Sequence, residues 1–197
     1  GQISGLVTAE GFSYACRALV LCTGVYLKSR VLVGDFVKDS GPAGLLRAET
    51  LSDALKALGL PLQRFKTGTP ARVRKGSLDL GEMERQDGDV PTPAFSFLNG
   101  RLTLEQTPCY LTYTNEQTHR VIRENLHRSA MYSGKIHATG TRYCPSIEDK
   151  VVRFKDKERH QAFIEPEGLS TDEMYVQGMS TSLPGDVQID MLHTMAG

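Results

Sequence analysis

The sequence predicts an α/β protein. An apolar run at residues 18–22, "ALVLC", is typical of a strand that is buried on both faces of a parallel sheet. Strand-like segments alternate with segments of helical periodicity, of which residues 48–58 are the clearest in the first half of the chain. With 197 residues, of which 40% are hydrophobic, the chain is long enough for one sizeable core or two small ones.

Charge and cysteine usage argue against several classes of protein. The formal net charge is zero, so only a local patch would attract a polyanion. Cys16, Cys22, Cys109 and Cys144 are scattered without a C-x-x-C pair, which argues against a structural metal and predicts free thiols. No apolar run reaches the roughly 18 residues of a membrane span and no leader-like segment occurs, so we expect a cytoplasmic protein.

The first segments read as strands. Residues 1–24 are predicted to form a strand, a turn at Glu10-Gly11, a second strand and then the apolar strand at 18–22. The G-x-G-x-x-G loop that normally opens a dinucleotide-binding sheet does not occur in the sequence. We therefore expect the chain to be a piece of a longer protein.

The next segments alternate between order and irregularity. The helix predicted at 48–58 places Leu51, Leu55 and Leu58 on one face, with Gly59 as its candidate C-terminal cap. Residues 76–108 are polar and irregular, which predicts a long surface excursion.

A strand and a helix are predicted after this excursion. "CYLTYT", residues 109–114, alternates as a strand, and a capping-box pattern from Thr114 to Gln117 then predicts a helix. His119 and His127 lie two turns apart on this helix, too far for one metal ion, so we expect surface or capping histidines.

The last segments predict two strands and a helix. "QAFIEPEG" and "EMYVQG" indicate a hairpin or two sheet strands. A helix is predicted to begin at Pro184 or Asp186.

A basic segment, "RFKTGTPARVRK" at 64–75, surrounds a Thr-Gly-Thr-Pro turn and contains no acidic residue. Backbone amides, hydroxyls and basic side chains in such a turn suit phosphate. A solvated basic loop at a strand edge explains the composition equally well, so both interpretations stay open.

Cys144, in "RYCPSIEDK", is the candidate reactive thiol. Pro145 follows it directly, which predicts extended or turn backbone, and a short helix or strand could begin at Ser146. Arg142, Lys150 or a helix N-terminus would lower the pKa of the thiol and favour a nucleophile. An inert buried cysteine is the alternative, and we expect it for Cys16, Cys22 and Cys109 on apolar strands.

Several stretches resemble, in order, the signature segments of the MnmG (GidA) family. They are "ALVLCTGVYL", "KTGTPAR", "PCYLTYTNEQTH", "RYCPSIEDKVVRF", "FIEPEG" and "STSLP", and they run over essentially the whole chain. The family comprises flavin-dependent enzymes that, with the GTPase MnmE, modify the wobble uridine of certain tRNAs. The resemblance therefore implies the middle of a longer tRNA-modifying enzyme.

The resemblance also implies the domains. The fold would be part of a Rossmann-like FAD/NAD(P)-binding domain plus an inserted α/β domain. Residues 1–65 would belong to the FAD-binding domain, 66–165 to the inserted domain associated with nicotinamide and tRNA, and 166–197 would return towards the FAD-binding domain. The residues implied near FAD are Thr23, Gly24, Ser40 and Ala48.

Two further sets of site residues follow from the resemblance. The match to the family's proposed NAD-binding segment implies cofactor contacts from Gly140, Thr141, Arg142, Tyr143, Cys144, Pro145, Ser146, Ile147, Glu148, Asp149, Lys150, Arg153 and Phe154. The "KTGTPAR" segment would hold tRNA or cofactor phosphates through Lys66, Thr67, Gly68, Thr69, Pro70, Arg72 and Arg74. Glu148, Asp149 and Lys150 are expected to organise their loop by mutual pairing.

The implied chemistry involves several reactants. The family is understood to use NADH to reduce FAD, after which the flavin acts on a one-carbon unit from methylenetetrahydrofolate. This unit is joined to C5 of uridine 34 together with glycine or ammonium. Cys144 would add to C6 of the pyrimidine or move a proton, while Arg142 would keep the thiol ionised or hold a phosphate. The implied partners are tRNA, MnmE and, for the full-length protein, a second copy in a homodimer.

Two other classes of function stay open. A generic FAD- or NAD-dependent oxidoreductase of small molecules would be expected to carry a redox cysteine pair, which the spacing does not provide. The isolated chain would instead be a non-catalytic tRNA- or protein-binding module without tight FAD binding, because amides of the missing phosphate loop supply much of a dinucleotide's affinity.

Overall fold

The computed structural model describes residues 2–100, 102, 105–140, 143 and 145–197. The strands are β1 (Gly5–Val7), β2 (Ser13–Ala15), β3 (Val31–Val33), β4 (Phe36–Lys38), β5 (Phe65–Lys66), β6 (Arg72–Arg74), β7 (Glu84–Gln86), β8 (Cys109–Tyr113), β9 (Thr139–Gly140), β10 (Gln161–Pro166) and β11 (Glu173–Gln177). The helices are α1 (Leu51–Ala57), α2 (Glu116–Glu124), α3 (Ile147–Arg153) and α4 (Gly185–Leu192). The predicted α/β fold class is confirmed.

The chain folds into two compact units. Unit 1 comprises Gly1–Val31 and Lys38–Leu62, and unit 2 comprises Leu32–Val37 and Gln63–Gly197. The division into domains 1–65, 66–165 and 166–197 stays a prediction, because a compact unit of this chain is not the same as a domain of a longer protein.

Unit 1 begins with the predicted hairpin. β1 and β2 pair antiparallel, and Gly11 occupies the turn at φ 90, a conformation that glycine adopts without steric cost. The strand predicted at 18–22 is not formed. These residues are not part of any strand, and Val20 is 81% exposed. A buried strand needs neighbours on both sides, and within the described part of the chain no segment pairs with this one.

Helix α1 confirms the predicted helix but starts later, at Leu51. Ala48, where the helix was predicted to begin, pairs with the segment 26–28 and is not helical. Its N–H donates to Tyr26 O at 2.9 Å and its carbonyl accepts from Lys28 N at 2.9 Å. Gly59 follows the helix at φ 83 and donates to Lys56 O, as expected of a C-terminal glycine.

Unit 2 is built on an antiparallel sheet in the order β6-β11-β10-β8-β7. The predicted strands at 109–114, "QAFIEPEG" and "EMYVQG" are confirmed as β8, β10 and β11. Among the described residues, β5 and β9 are the named strands that pair parallel, in a short ladder. The excursion expected at 76–108 contains β7, which pairs with β8 at the sheet edge.

One face of this sheet is covered by helices and forms the core. Ala162 and Ile164 of β10 and Met174 and Val176 of β11 are at most 3% exposed. They pack in one apolar cluster with side chains of α2, α3 and α4, namely Ile122, Ile147, Val151, Val187 and Met191. Alternate residues of β10 therefore face the opposite side of the sheet, which no helix of this cluster covers.

Helix α2 starts one residue later than predicted. Asn115 is the N-cap and forms a capping box with Thr118. Thr114 is instead part of a buried contact, since its Oγ1 lies 2.8 Å from His119 Nε2 and accepts from His160 N at 2.8 Å. The expectation of a surface or capping His119 was wrong: the side chain is 2% exposed and its ring lies 5.2 Å from that of His160.

Of the helix and strand left open after Ser146, the structure forms the helix α3, and the helix predicted from Pro184 or Asp186 is confirmed as α4. Ser146 caps α3 by accepting from Asp149 N at 3.2 Å, and α4 follows Pro184. Among the described residues, no helix is both long and apolar enough to cross a membrane.

The two packed histidines predict a pH-dependent stability. Burial lowers the pKa of both His119 and His160, and His119 lowers the pKa of His160 further. The unfolded chain therefore binds more protons below the ordinary histidine pKa of about 6.5, so the free energy of unfolding falls as the pH drops through that value. Denaturant titrations at pH 7.5 and 5.5 measure the loss, which His160→Gln should reduce.

The exposed His127 provides the control. His127→Gln should leave the pH dependence of the unfolding free energy unchanged. Equal unfolding free energies at both pH values in the unsubstituted chain would contradict the prediction.

Candidate functional site

Three chain segments of unit 2 come together at the candidate site. They are the basic turn at 66–70, the segment 139–154, and the loop 178–183 that follows β11. β5 and β9 join the first two, because Lys66 lies opposite Gly140 in the parallel ladder. The fold therefore places two motifs that are far apart in the sequence side by side.

The basic turn packs closely against the loop after β11. A Cβ added to Gly68 would lie 2.2 Å from Ser180 Oγ, so any larger residue at this position would have to displace that side chain. Ser180 Oγ is buried and has no hydrogen-bond partner among the described residues. Ser180 O accepts from Ile147 N at 2.7 Å, which connects the same loop to the start of α3.

Arg72, at the end of the basic segment, is engaged rather than freely solvated. Its guanidinium forms an ion pair with Glu167 at 2.7 Å, donates to Thr69 Oγ1 and lies 4.6 Å above the ring of Tyr175. Arg74 is exposed. The assignment of the basic segment to phosphate stays a prediction.

Glu148 is fully buried at the start of α3. Its Oε1 accepts from Ser129 Oγ at 3.1 Å, from Ser182 N at 3.0 Å and from Ser182 Oγ at 3.3 Å. Its Oε2 is buried without a hydrogen-bond partner among the described residues. The carboxylate thus holds α3 to the loop after α2 and to the loop after β11.

The two residues after Glu148 also contact side chains or backbone of other segments. Asp149 Oδ2 is 3.8 Å from Lys66 Nζ, and Lys150 Nζ donates to Gly178 O at 2.9 Å. Mutual pairing of Glu148, Asp149 and Lys150 was expected and stays a prediction; the structure connects each of them to a segment outside 140–154.

The predicted catalytic residues Cys144 and Arg142, together with Thr141, lie outside the described residues. Of the other residues predicted in this segment, Ser146, Ile147, Glu148 and Asp149 are buried. Tyr143 is 85% and Phe154 52% exposed, and the side chain of Arg153 is largely exposed. A ligand would reach the exposed side chains Tyr143, Arg153 and Phe154, whereas the buried side chains hold the backbone of the segment in place.

The predicted flavin residues lie in unit 1 on two adjoining segments. Leu27 and Ala48 form a parallel bridge, and Gly24 adopts φ 50 in the turn before it. Ser40 is 7% exposed and donates to Gly41 O at 2.8 Å. The loop after Ser40 consists of small residues, and a Cβ on Gly44 would meet no atom within 4 Å. A Cβ on Gly41 would instead lie 2.6 Å from the ring of Tyr26, and the assignment of these residues to FAD stays a prediction.

The segment 129–132 also contributes to the site, although its sequence did not predict this. Ser129 Oγ lies 2.8 Å from Ser182 Oγ, Met131 Sδ lies 3.2 Å from Lys66 Nζ, and Tyr132 Oη donates to Asp149 Oδ1 at 3.5 Å. "SAMY" carries no pattern of charge or periodicity that marks a site. "STSLP", which contains Ser182, is a signature segment of the resembled family and was the available signal.

The other cysteines differ from the expected inert, buried set. Cys22 is exposed, whereas Cys16 and Cys109 are half-buried. Burial, and then Glu165, raise the pKa of the Cys109 thiol. In the part of the chain that the structure describes, no group of three or more His, Cys, Asp or Glu side chains could hold a metal ion.

Comparisons with known proteins identify the family. The family model described as "Glucose inhibited division protein A" matches residues 1–197, and the chain belongs to this family. Proteins named tRNA uridine 5-carboxymethylaminomethyl modification enzyme MnmG are 53% identical over 196 residues in Clostridium botulinum strain Hall and 54% identical over 197 residues in Caldicellulosiruptor saccharolyticus. Both matches cover 100% of this chain but only 31% and 32% of the relatives.

Solved structures agree. GidA of Aquifex aeolicus in its form I crystal matches with a TM-score of 0.87 and 47% identity over 100% of this chain and 34% of that chain. The form II crystal gives a TM-score of 0.86 at 44% identity. The chain thus spans about a third of the length of the proteins that it matches.

The contact between Gly68 and Ser180 predicts a paired effect on stability. Gly68→Ala should lower the free energy of unfolding by about 1–3 kcal/mol, because overpacking displaces a buried side chain. Ser180→Ala removes the Oγ and should cost little, since that atom has no described partner. The double variant should therefore recover most of the lost unfolding free energy. Denaturant titrations of the unsubstituted chain, the two single variants and the double variant measure this. Additive losses in the double variant would contradict the proposed contact.

Proposed function

We propose that this chain is the central part of an FAD-dependent enzyme that modifies the wobble uridine of tRNA. The observation that carries the proposal is the match of the whole chain to a family whose curated members are named tRNA uridine 5-carboxymethylaminomethyl modification enzyme. The described contacts support it, because the basic turn lies beside Gly140 and packs against the loop that contacts Ile147 at the start of α3.

Different residues of the chain would contact FAD, support the backbone of the segment 140–154 and contact a nucleotide. Thr23, Gly24, Ser40 and Ala48 would approach FAD, which when bound supplies electron transfer. Ser146, Ile147, Glu148 and Asp149 of the segment 140–154 would act by holding its backbone, since they are buried. Tyr143, Arg153 and Phe154 are predicted site residues of that segment whose exposed side chains would touch a nicotinamide or nucleotide.

The Lys66–Arg74 segment would hold phosphate, with Lys66 next to Gly140 as its most central cation. Phosphate binding by cationic and hydroxyl side chains is a general property of such turns. Arg142 would hold a phosphate or maintain the Cys144 thiolate. MnmE, NADH, methylenetetrahydrofolate, a homodimeric full-length protein and a cytoplasmic location complete the proposal.

The experiment uses the full-length protein that contains this segment. The purified protein is incubated with unmodified tRNA, MnmE, GTP, FAD, NADH and methylenetetrahydrofolate, with glycine or ammonium, and nucleosides are analysed by mass spectrometry. An aminomethyl-type group on C5 of uridine 34 is the expected product. NADH oxidation without a modified nucleoside would instead indicate a generic oxidoreductase.

Cys144→Ser in the full-length protein should abolish modification of the tRNA and leave FAD bound. The reason is that serine keeps the shape of the side chain but lacks a thiolate near neutral pH. The flavin absorbance of the purified variant and the nucleoside assay measure the two properties. Cys109→Ser is the matched control, and normal modification by the Cys144 variant would remove the thiol from the mechanism.

A further inference from the structure

Three donors from separate segments surround the carboxylate of Asp149. Lys66 Nζ of β5 lies 3.8 Å from Oδ2, and Arg153 Nη2 at the end of α3 lies 3.6 Å from Oδ1. Tyr132 Oη, from the loop after α2, lies 3.5 Å from Oδ1. The fold rather than local sequence creates this cluster, because residues 66, 132 and 149 meet only in the folded chain.

Each of these contacts is long. A charge-assisted N–H···O bond is typically about 2.7–2.9 Å, so none of the three donors is tightly bound by the carboxylate. Asp149 is therefore close enough to neutralise part of the positive charge, but it holds Lys66, Tyr132 and Arg153 only at the long end of hydrogen-bond and ion-pair distances.

Two of the three donors are exposed to solvent, whereas Lys66 and Asp149 are largely buried. The side chains of Lys66 and Asp149 are 17% and 12% exposed, whereas that of Arg153 is 68% exposed and Tyr132 is 41% exposed. Burial, and then Asp149 and Glu148, raise the pKa of Tyr132. The phenol thus keeps its proton at neutral pH and remains a donor.

We propose that Lys66, Tyr132 and Arg153 form a phosphate subsite and that Asp149 is the resident counter-ion that an incoming phosphate displaces. A phosphate has more acceptor oxygens than a carboxylate and can accept from all three donors at closer distance. The inference rests on the proposed function, which supplies two sources of the same chemistry: the backbone of RNA and the pyrophosphate of a nicotinamide dinucleotide.

This arrangement makes an unusual prediction for Asp149→Asn. A resident carboxylate repels phosphate and competes for its donors, so removing the charge should tighten binding roughly fivefold, the effect of about 1 kcal/mol for an accessible charge pair. The dependence of log Kd on log salt should become steeper by up to about 1, and Lys66→Met should make it shallower by about 1. Tyr132→Phe should weaken binding without changing the salt dependence.

Asp156→Asn is the matched control, since Asp156 is an exposed carboxylate of the same region and its loss changes the net charge equally. Dissociation constants of the full-length variants are measured for unmodified tRNA and, separately, for NADH at several salt concentrations. Tightening by Asp149→Asn for tRNA alone assigns the subsite to the RNA backbone, for NADH alone to the dinucleotide, and for both to a shared phosphate position.

Equal effects of Asp149→Asn and Asp156→Asn, or weaker binding by the Asp149 variant, would overturn the subsite. The binding measurements that test the subsite can fail independently of the modification assay that tests the proposed function. An unsubstituted protein that modifies tRNA while Asp149→Asn fails to tighten binding contradicts the subsite alone. Tightened binding with no modified nucleoside from the unsubstituted protein contradicts the function alone.

Discussion

The buried carboxylate of Glu148 is the interaction on which the candidate site depends. It joins the loop after α2, the start of α3 and the loop after β11 through Ser129 and Ser182. Removing one partner from a buried charged network leaves desolvated polar groups without compensation, which costs far more than an exposed ion pair is worth. The positions of Lys66, Tyr132 and Asp149 follow from this junction, because each lies on, or is paired to, one of the segments that it fixes.

The antiparallel sheet supplies the rigid support for this junction. β10 and β11 bury alternate residues against the helices, so a slip of one residue would expose Ile164 and Val176 to water. The register is therefore strongly specified, and it fixes the positions of the loops at the ends of the strands. This explains how turns as short as 66–70 and 178–183 maintain a contact as close as that of Gly68 with Ser180.

Local signals in the sequence predicted local structure well. Ser146 as a cap, Gly59 after α1 and the alternation in β8, β10 and β11 depend on neighbouring residues alone. The apolar run at 18–22 failed as a strand because burial on both faces depends on partners that periodicity cannot supply. The burial of His119 and the contribution of Tyr132 to the site could not be predicted from the sequence either. His119 packs against His160 and Tyr132 contacts Asp149, and both partners are distant in the sequence. Cys144, on which most of the predicted chemistry rests, stays a prediction from the sequence.

A generic oxidoreductase that relies on thiols is less compatible with the described cysteines than a site with one reactive cysteine. Thiol–disulfide chemistry requires an accessible thiolate, and a thiol whose pKa is raised supplies less of it at neutral pH. Burial and Glu165 act in that direction on Cys109, which therefore remains a protonated side chain of the sheet. Cations instead concentrate around Asp149 and the basic turn, although the whole chain has no net charge. This local separation of charge is compatible with the proposed binding of a phosphate-rich substrate.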